Sequence, residues 1–414
     1  MKCGLRASPG VGDRRAGSSC RWMLVTALAL ATSPALALDN GLARSPPMGW
    51  NSWNHFRCEA LNEDVVKAAA DAMVASGMRA AGYTYVVVDD CWQAPGRDAE
   101  GRLQAHPQKF RSGIKALADY VHAKGLKFGL YASPGSETCA MHWDKFPGLA
   151  LGSYRHEQQD ADTFASWGVD YLKYDWCRAD ETDGLAREPA FAKMRDALAA
   201  TGRPIVYAIS EYGESQPWSW AGTIANSWRT THDIRPAWES ITRIVDQQAD
   251  LSAHAKPGAW NDPDMLQVGN AGLSDEESRA HFSLWALLNA PLMAGNNLAR
   301  MSPATRAILT NDAVIAINQD WGGRQARRVR DDGEQEVWVK PMSDGSIAAV
   351  LLNRSATVKE MITNPADLGL PAASGYRVAN LWRGTTRNIT GDLKARIPAH
   401  GVVMLRVTPQ GTAP

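Results

Sequence analysis

From residue 38 to about residue 319, short apolar runs alternate with stretches whose apolar residues recur at helical spacing. Val65, Ala69 and Met73 follow that spacing, and Asn62 stands before them as an N-cap, which predicts a helix. Residues 83–88, Tyr-Thr-Tyr-Val-Val-Val, run straight into Asp89-Asp90 and predict a buried strand. A second helix, marked by Ile114, Leu117 and Val121, stops at Gly125 and precedes a strand over 126–131. A helix ending at Trp167-Gly168 leads into a strand over 169–175. Another, running through Phe191 to Leu198, leads into a strand over 204–209. Strands this rich in β-branched and aromatic residues, without polar alternation, belong to a parallel sheet covered on both faces. Roughly eight such units over about 280 residues fit a closed (β/α)8 TIM barrel better than an open sheet.

After Gln319 the texture changes. Residues 336–340, 346–352 and 401–407 read as strands separated by Ser-Asp-Gly, Asn-Arg-Ser and Pro-Ala-His-Gly turns. The expected α/β organisation is a leader over 1–37, a barrel over 38–319 and a small antiparallel β-sandwich over 325–409.

The leader is expected because Arg14, Arg15 and Arg21 precede an apolar run over 23–31, and Ala35-Leu36-Ala37 is an A-x-A cleavage pattern. The run is too short to span a bilayer. Cleavage near Ala37 would release a secreted or periplasmic chain starting near Leu38. Cys3 and Cys20 would leave with the leader. Cys58, Cys91, Cys139 and Cys177 remain, an even number that favours disulfides, with three pairings open. No pair of these has CxxC spacing, and His55, His232 and His281 are scattered, so neither metal nor cofactor is expected. Lys+Arg and Asp+Glu balance at 44 each, which gives no reason to expect nucleic acid or an anionic membrane as partner. The 16 tryptophans serve mostly as core, but flat aromatic faces also stack on pyranose rings, which favours a carbohydrate ligand.

Side chains at the C-terminal strand ends of a barrel surround its active site. Those positions hold Trp53 after strand 1, Asp89 and Asp90 after strand 2, and Tyr131 on strand 3. Strand 4 carries Lys173 and Asp175, and Ser210, Glu211 and Tyr212 follow strand 5. Strand 6 supplies Arg229 and Asp233, and strand 7 supplies Asp262 and Asp264. A single strand-end Asp often only caps the next helix. Several carboxylates with one Lys, one Arg and several Trp around one mouth suit a neutral polyol better. Two of the carboxylates could then perform acid/base and nucleophilic work. No GxSxG, HExxH, Walker loop or GxGxxG occupies a strand-to-helix junction.

Five motifs then occur in order: Met48-Gly49-Trp50-Asn51-Ser52-Trp53-Asn54-His55-Phe56, Asp89-Asp90-Cys91-Trp92, Asp170-Tyr171-Leu172-Lys173-Tyr174-Asp175, Asn226-Ser227-Trp228-Arg229-Thr230-Thr231 and Gly258-Ala259-Trp260-Asn261-Asp262-Pro263-Asp264-Met265-Leu266. In these the chain resembles glycoside hydrolase family 27, which holds the α-galactosidases and α-N-acetylgalactosaminidases, and it resembles the plant-type and bacterial α-galactosidases most. The resemblance implies a retaining exo-glycosidase acting on terminal α-D-galactose, as a monomer or homodimer. It makes Asp175 the nucleophile and Asp233 the general acid/base, with the two carboxyls roughly 5–5.5 Å apart. Asp233 is then expected to be held protonated, its pKa raised by burial and by the nearby nucleophile. Trp53, Asp89, Asp90, Tyr131, Cys139, Lys173, Ser210, Glu211, Tyr212, Arg229 and Asp264 become substrate contacts. The implied disulfides are Cys58–Cys91 and Cys139–Cys177.

The chain departs from the family at Ser210-Glu211-Tyr212, where many α-galactosidases have Cys-Glu-Trp and where the group on C2 is read. It also carries an extra stretch over 141–146 near the mouth. The alternatives are α-N-acetylgalactosaminidase, β-L-arabinopyranosidase, or an inactive sugar-binding barrel.

Overall fold

The computed structural model describes residues 38–412, together with Gly12. Apart from Gly12, the expected leader, with its two cysteines, lies outside the described residues.

Eight parallel strands follow one another: β1 Met48–Asn51, β2 Tyr85–Val88, β3 Lys127–Ala132, β4 Tyr171–Asp175, β5 Val206–Ser210, β6 Ser227–Arg229, β7 Trp260–Asp262 and β8 Leu292–Ala294. They pair in the order β7-β6-β5-β4-β3-β2-β1-β8. The ring closes just beyond β7, where Leu266 N donates to Met293 O at 2.8 Å and Gly295 N donates to Leu266 O at 3.1 Å. This is the barrel that the alternation of helix and strand predicts.

Both faces of these strands are apolar, and the structure separates them by turns. Tyr85, Val87, Tyr171, Val206 and Ala208 form one cluster with Met265 and Met293. Val86, Val88, Leu172, Tyr207 and Ile209 join the larger core with the surrounding helices. Side chains alternate along a strand, so the first set projects into the lumen. Continuing the same phase carries Asp89, Lys173, Asp175 and Ser210 to the lumen side at the barrel's top.

The helix Glu63–Ala75 starts at Asn62, whose side chain accepts from Val65 N at 3.0 Å. Its buried face is Val66, Ala69, Ala70 and Met73, and Val65 is only half-buried, so the face is rotated by one residue from the expected stripe. The helix Ile114–Ala123 ends before Gly125, whose φ of 70° suits glycine at a helix stop.

The C-terminal region holds β9 Arg327–Asp331, β10 Gln335–Pro341, β11 Ile347–Asn353, β12 Lys359–Thr363, β13 Ala373–Asn380, β14 Thr385–Ile389, β15 Leu393–Ile397 and β16 Gly401–Thr412. Six make an antiparallel sheet in the order β14-β13-β16-β11-β10-β9, and β12 pairs with β15. Trp338, Val350 and Met404 belong to the barrel's core, while Val337, Leu351 and Val407 pack with Met361 and Leu393 of the two-stranded sheet. The apolar runs predicted β10, β11 and β16. The polar edge strands escaped: β9 is Arg-Arg-Val-Arg-Asp, and β14 is mostly exposed. No helix among the described residues is long and apolar enough to cross a membrane.

Candidate active site

The strand ends surround a cavity of about 810 Å3. Trp53, Asp89, Asp90, Tyr131, Cys139, Lys173, Asp175, Tyr212, Arg229, Asp233 and Asp264 all line it. Ser210 and Glu211, expected as substrate contacts, do not. Ser210 is buried, with an unpartnered Oγ. Glu211 has the opposite strand phase, so it turns away from the lumen, where its Oε2 accepts from Ser215 N and Oγ and lies 3.4 Å from Arg187 Nε.

Two acidic residues leave β2 together and meet different partners. Asp89 Oδ2 accepts from Asn51 Nδ2 at 2.6 Å and from Lys173 Nζ at 2.9 Å. Lys173 thus pairs with Asp89 rather than directly with Asp175. Burial pushes its ammonium down, but Asp89 and Asp175 outweigh this and hold its pKa above the ordinary value. Asp90 accepts backbone N–H bonds from Cys91 at 2.7 Å and Ala140 at 2.8 Å. Burial still pushes its carboxyl up to about 7.

Asp175, at the end of β4, is 5% exposed. Tyr212 OH donates to its Oδ1 at 2.9 Å, and Cys139 Sγ lies 3.3 Å from its Oδ2. That sulfur is bonded to Cys177, so it carries no proton, and the second contact is packing. Cys139, Asp175 and Cys177 come within 4.8 Å of one another. A disulfide leaves no thiolate among them to ligate a metal. Burial raises the Asp175 pKa to about 6, with Lys173 opposing and Asp233 adding to it. The structure pairs Cys58 with Cys91 and Cys139 with Cys177.

Across the cavity, one guanidinium holds two carboxylates. Arg229 Nη2 lies 3.1 Å from Asp233 Oδ1 and 3.1 Å from Asp264 Oδ2. Its Nε is buried without a protein partner. Asp264 also accepts from Ile234 N at 2.8 Å and Met265 N at 2.7 Å, and burial raises it to about 6. Asp233 differs, with a side chain 64% exposed. Desolvation pushes its carboxyl up, but Arg229 and then Lys173 outweigh it and hold the pKa below the ordinary value. The expectation of a raised pKa at Asp233 is therefore corrected. Arg229, Lys173 and Arg57 all act on that carboxyl, and together they outweigh its desolvation.

Strained backbone gathers here. Arg57 has φ 42°, Cys91 72°, Tyr212 65° and Asp264 84°, and of these only Cys91 does not line the cavity. The strand pattern alone did not mark Asn51 as the residue that steadies Asp89, although it lies inside the first motif. Nor did it mark the mouth residues Arg57, Trp143, Asp144, Trp176, Arg187 and Arg235. Arg57, Trp143 and Arg187 sit on helices and the others on the connections beyond strands and helices, and of these only Trp143 and Asp144 fall in the 141–146 stretch expected near the mouth.

A (β/α)8 barrel whose strand ends bring carboxylates, cations and aromatic walls around one water-accessible cavity has the architecture of a glycoside hydrolase. The chain belongs to the α-galactosidase A family, whose model matches residues 45–320, and the model of the α-galactosidase C-terminal beta sandwich domain matches residues 332–407. It is 45% identical over 410 residues to α-galactosidase A of Cellvibrio japonicus, covering 94% of this chain and 98% of that one. The crystal structure of α-galactosidase I from Mortierella vinacea superposes with a TM-score of 0.84 at 34% identity, over 91% of this chain and all of that one. The α-galactosidase of Saccharomyces cerevisiae with raffinose gives a TM-score of 0.79 at 30% identity, over 90% of this chain and 99% of that one.

Proposed function

We propose that this protein is a retaining α-galactosidase that uses Asp175 as nucleophile and Asp233 as acid/base. The observation that carries the residue assignment is the placement of these two carboxylates on one cavity in contrasting surroundings. Asp175 is buried and oriented by Tyr212, while Asp233 is exposed toward the mouth. An Asp175 oxygen attacks the anomeric carbon as the bond to the leaving oxygen breaks, and the Asp233 proton goes to that oxygen. Water then gives a proton to Asp233 and attacks the same carbon, releasing Asp175. Two inversions retain the configuration.

The remaining residues bind the sugar. Asp89, fixed by Asn51 and Lys173, and Asp90, fixed by two backbone N–H groups, accept from galactose hydroxyls. The free Nε–H of Arg229 is available as a donor to another. Tyr212 is held by Asp175 and by the His232 ring, so it forms a firm wall, which favours galactose over the bulkier N-acetyl sugar. Burial raises the pKa of Asp175, and Arg229 lowers that of Asp233. A sugar that covers Asp233 and engages Arg229 would raise the Asp233 pKa, toward the protonated form that the chemistry needs.

The two disulfides support an oxidising compartment, so the proposal includes export. A panel of aryl glycosides tests the activity. Release from α-galactoside, with little from α-N-acetylgalactosaminide or β-L-arabinopyranoside, is expected, and the reverse order would overturn the assignment. Asp175→Ala should abolish release. Asp233→Ala should penalise poor leaving groups most, because they depend on protonation.

A further inference from the structure

The cavity is larger than its deep end requires, and at 810 Å3 it lies toward the top of the range for small-ligand pockets. Trp143 stands at its mouth with 56% of its surface exposed. Among the described residues the other exposed large apolar side chains are Leu149, Trp321, Val358 and Ile362, and none of them lines this cavity. A half-exposed tryptophan on the wall of a cavity offers a flat apolar face, here with the His142 ring tilted beside it at 5.7 Å.

That face is built rather than loose. Trp143 ends the short helix Cys139–Trp143. The helix is tied at its first residue by the disulfide to Cys177, two residues past Asp175, and at its second by Ala140 N donating to Asp90 Oδ2 at 2.8 Å. Beyond it, Asp144 N donates to Ala140 O at 3.0 Å, and the Asp144 carboxylate lies 3.7 Å from Arg57. The Arg57 guanidinium in turn sits 5.3 Å from the centre of the Trp53 ring. Its backbone has φ 42°, which a non-glycine residue holds only when its surroundings enforce it. Arg57 therefore spans the gap between the wall of the deep pocket and the end of the helix that carries Trp143.

We propose that Trp143, flanked by Arg57 and Asp144, is the platform on which the leaving-group sugar ring stacks. The inference rests on Asp233 being the proton donor. The leaving oxygen must then lie within hydrogen-bond reach of Asp233, and the next ring extends toward the mouth, where Arg57 is close enough to act on the Asp233 charge. Trp143 offers the apolar face for the ring's C–H groups, and Arg57 and Asp144 offer a donor and an acceptor for its hydroxyls.

Two substrates test this, an α-1,6-linked galactosyl-glucose disaccharide and α-galactosyl fluoride, whose leaving group is too small to reach the platform. Trp143→Ala should lower kcat/KM on the disaccharide roughly three- to tenfold, mainly through KM. It should leave the fluoride reaction and inhibition by free galactose unchanged, and Trp143→Phe should recover most of the loss. Equal losses on both substrates would show a merely structural role, and no loss on either would show that nothing stacks there; both outcomes overturn the platform. If the wild-type enzyme cleaves neither galactoside, the hydrolase reading itself fails, and that result is distinct from a selective failure of the variant.

Discussion

Tyr212 donates its hydroxyl to Asp175 Oδ1 at 2.9 Å, and its ring lies nearly parallel to the His232 imidazole with 5.8 Å between centres. The bond favours the ionised carboxylate, so it opposes the rise that burial imposes on Asp175. Removing it should weaken the nucleophile's orientation and raise its pKa further. Tyr212→Phe is expected to lower kcat/KM on the order of tenfold, the scale of a hydrogen bond to a charged group. The upper apparent pKa of the kcat/KM profile should move upward. A profile that keeps its limbs would remove Tyr212 from this role.

The pH dependence of the wild-type enzyme follows from the same pair. The productive form has Asp175 ionised and Asp233 protonated, a total of one proton on two carboxyls. That total persists between the lowered pKa at Asp233 and the value near 6 at Asp175. The apparent values belong to the pair rather than to either residue. kcat/KM should therefore be bell-shaped, with its maximum on the acid side and a fall above about pH 6. A plateau extending through pH 8 would contradict it.

Asp175 should also impose a stability cost that depends on pH. Its pKa is raised from 3.8 to about 6 on folding, so the native state binds the proton more tightly than the unfolded chain does. The stabilisation from this preference is full below about pH 3.8 and is lost as pH rises through about 6, a change on the order of 3 kcal/mol. Asp175→Asn keeps an acceptor for Tyr212 and has no charge to bury. Thermal melts should show the variant more stable than the parent at pH 7, with the difference vanishing near pH 4. A difference that does not vary with pH would refute the linkage.

The Cys139–Cys177 bridge closes a loop with a sequence separation of 38 residues and carries the wall beside Asp175. Replacing both cysteines by alanine should cost about 3–4 kcal/mol of unfolding free energy by the chain-entropy argument. Galactose should also bind more weakly, because the helix bearing Cys139 loses its anchor. Urea midpoints and galactose inhibition constants measure the two effects separately.

Much of this molecule is legible in its sequence where one short segment decides the outcome. The Tyr-Thr-Tyr-Val-Val-Val run before Asp89 must be a strand, Asn62 and Gly125 mark helix ends, and the five motifs name the family. Strands apolar on both faces conceal their phase, so only the closed barrel reveals that Tyr85 and Tyr171 look inward and therefore that Asp89 and Asp175 do. The sign of φ at Tyr212 is equally hidden: a left-handed residue at 65° returns its ring to the cavity, while the extended phase before it sends Glu211 outward to Ser215 and Arg187. The order of the two carboxyl pKa values was decided last. The resemblance implies that Asp175 and Asp233 share one site, but desolvation and distance to Arg229 act through space, and only the tertiary structure placed that guanidinium against Asp233 and buried Asp175.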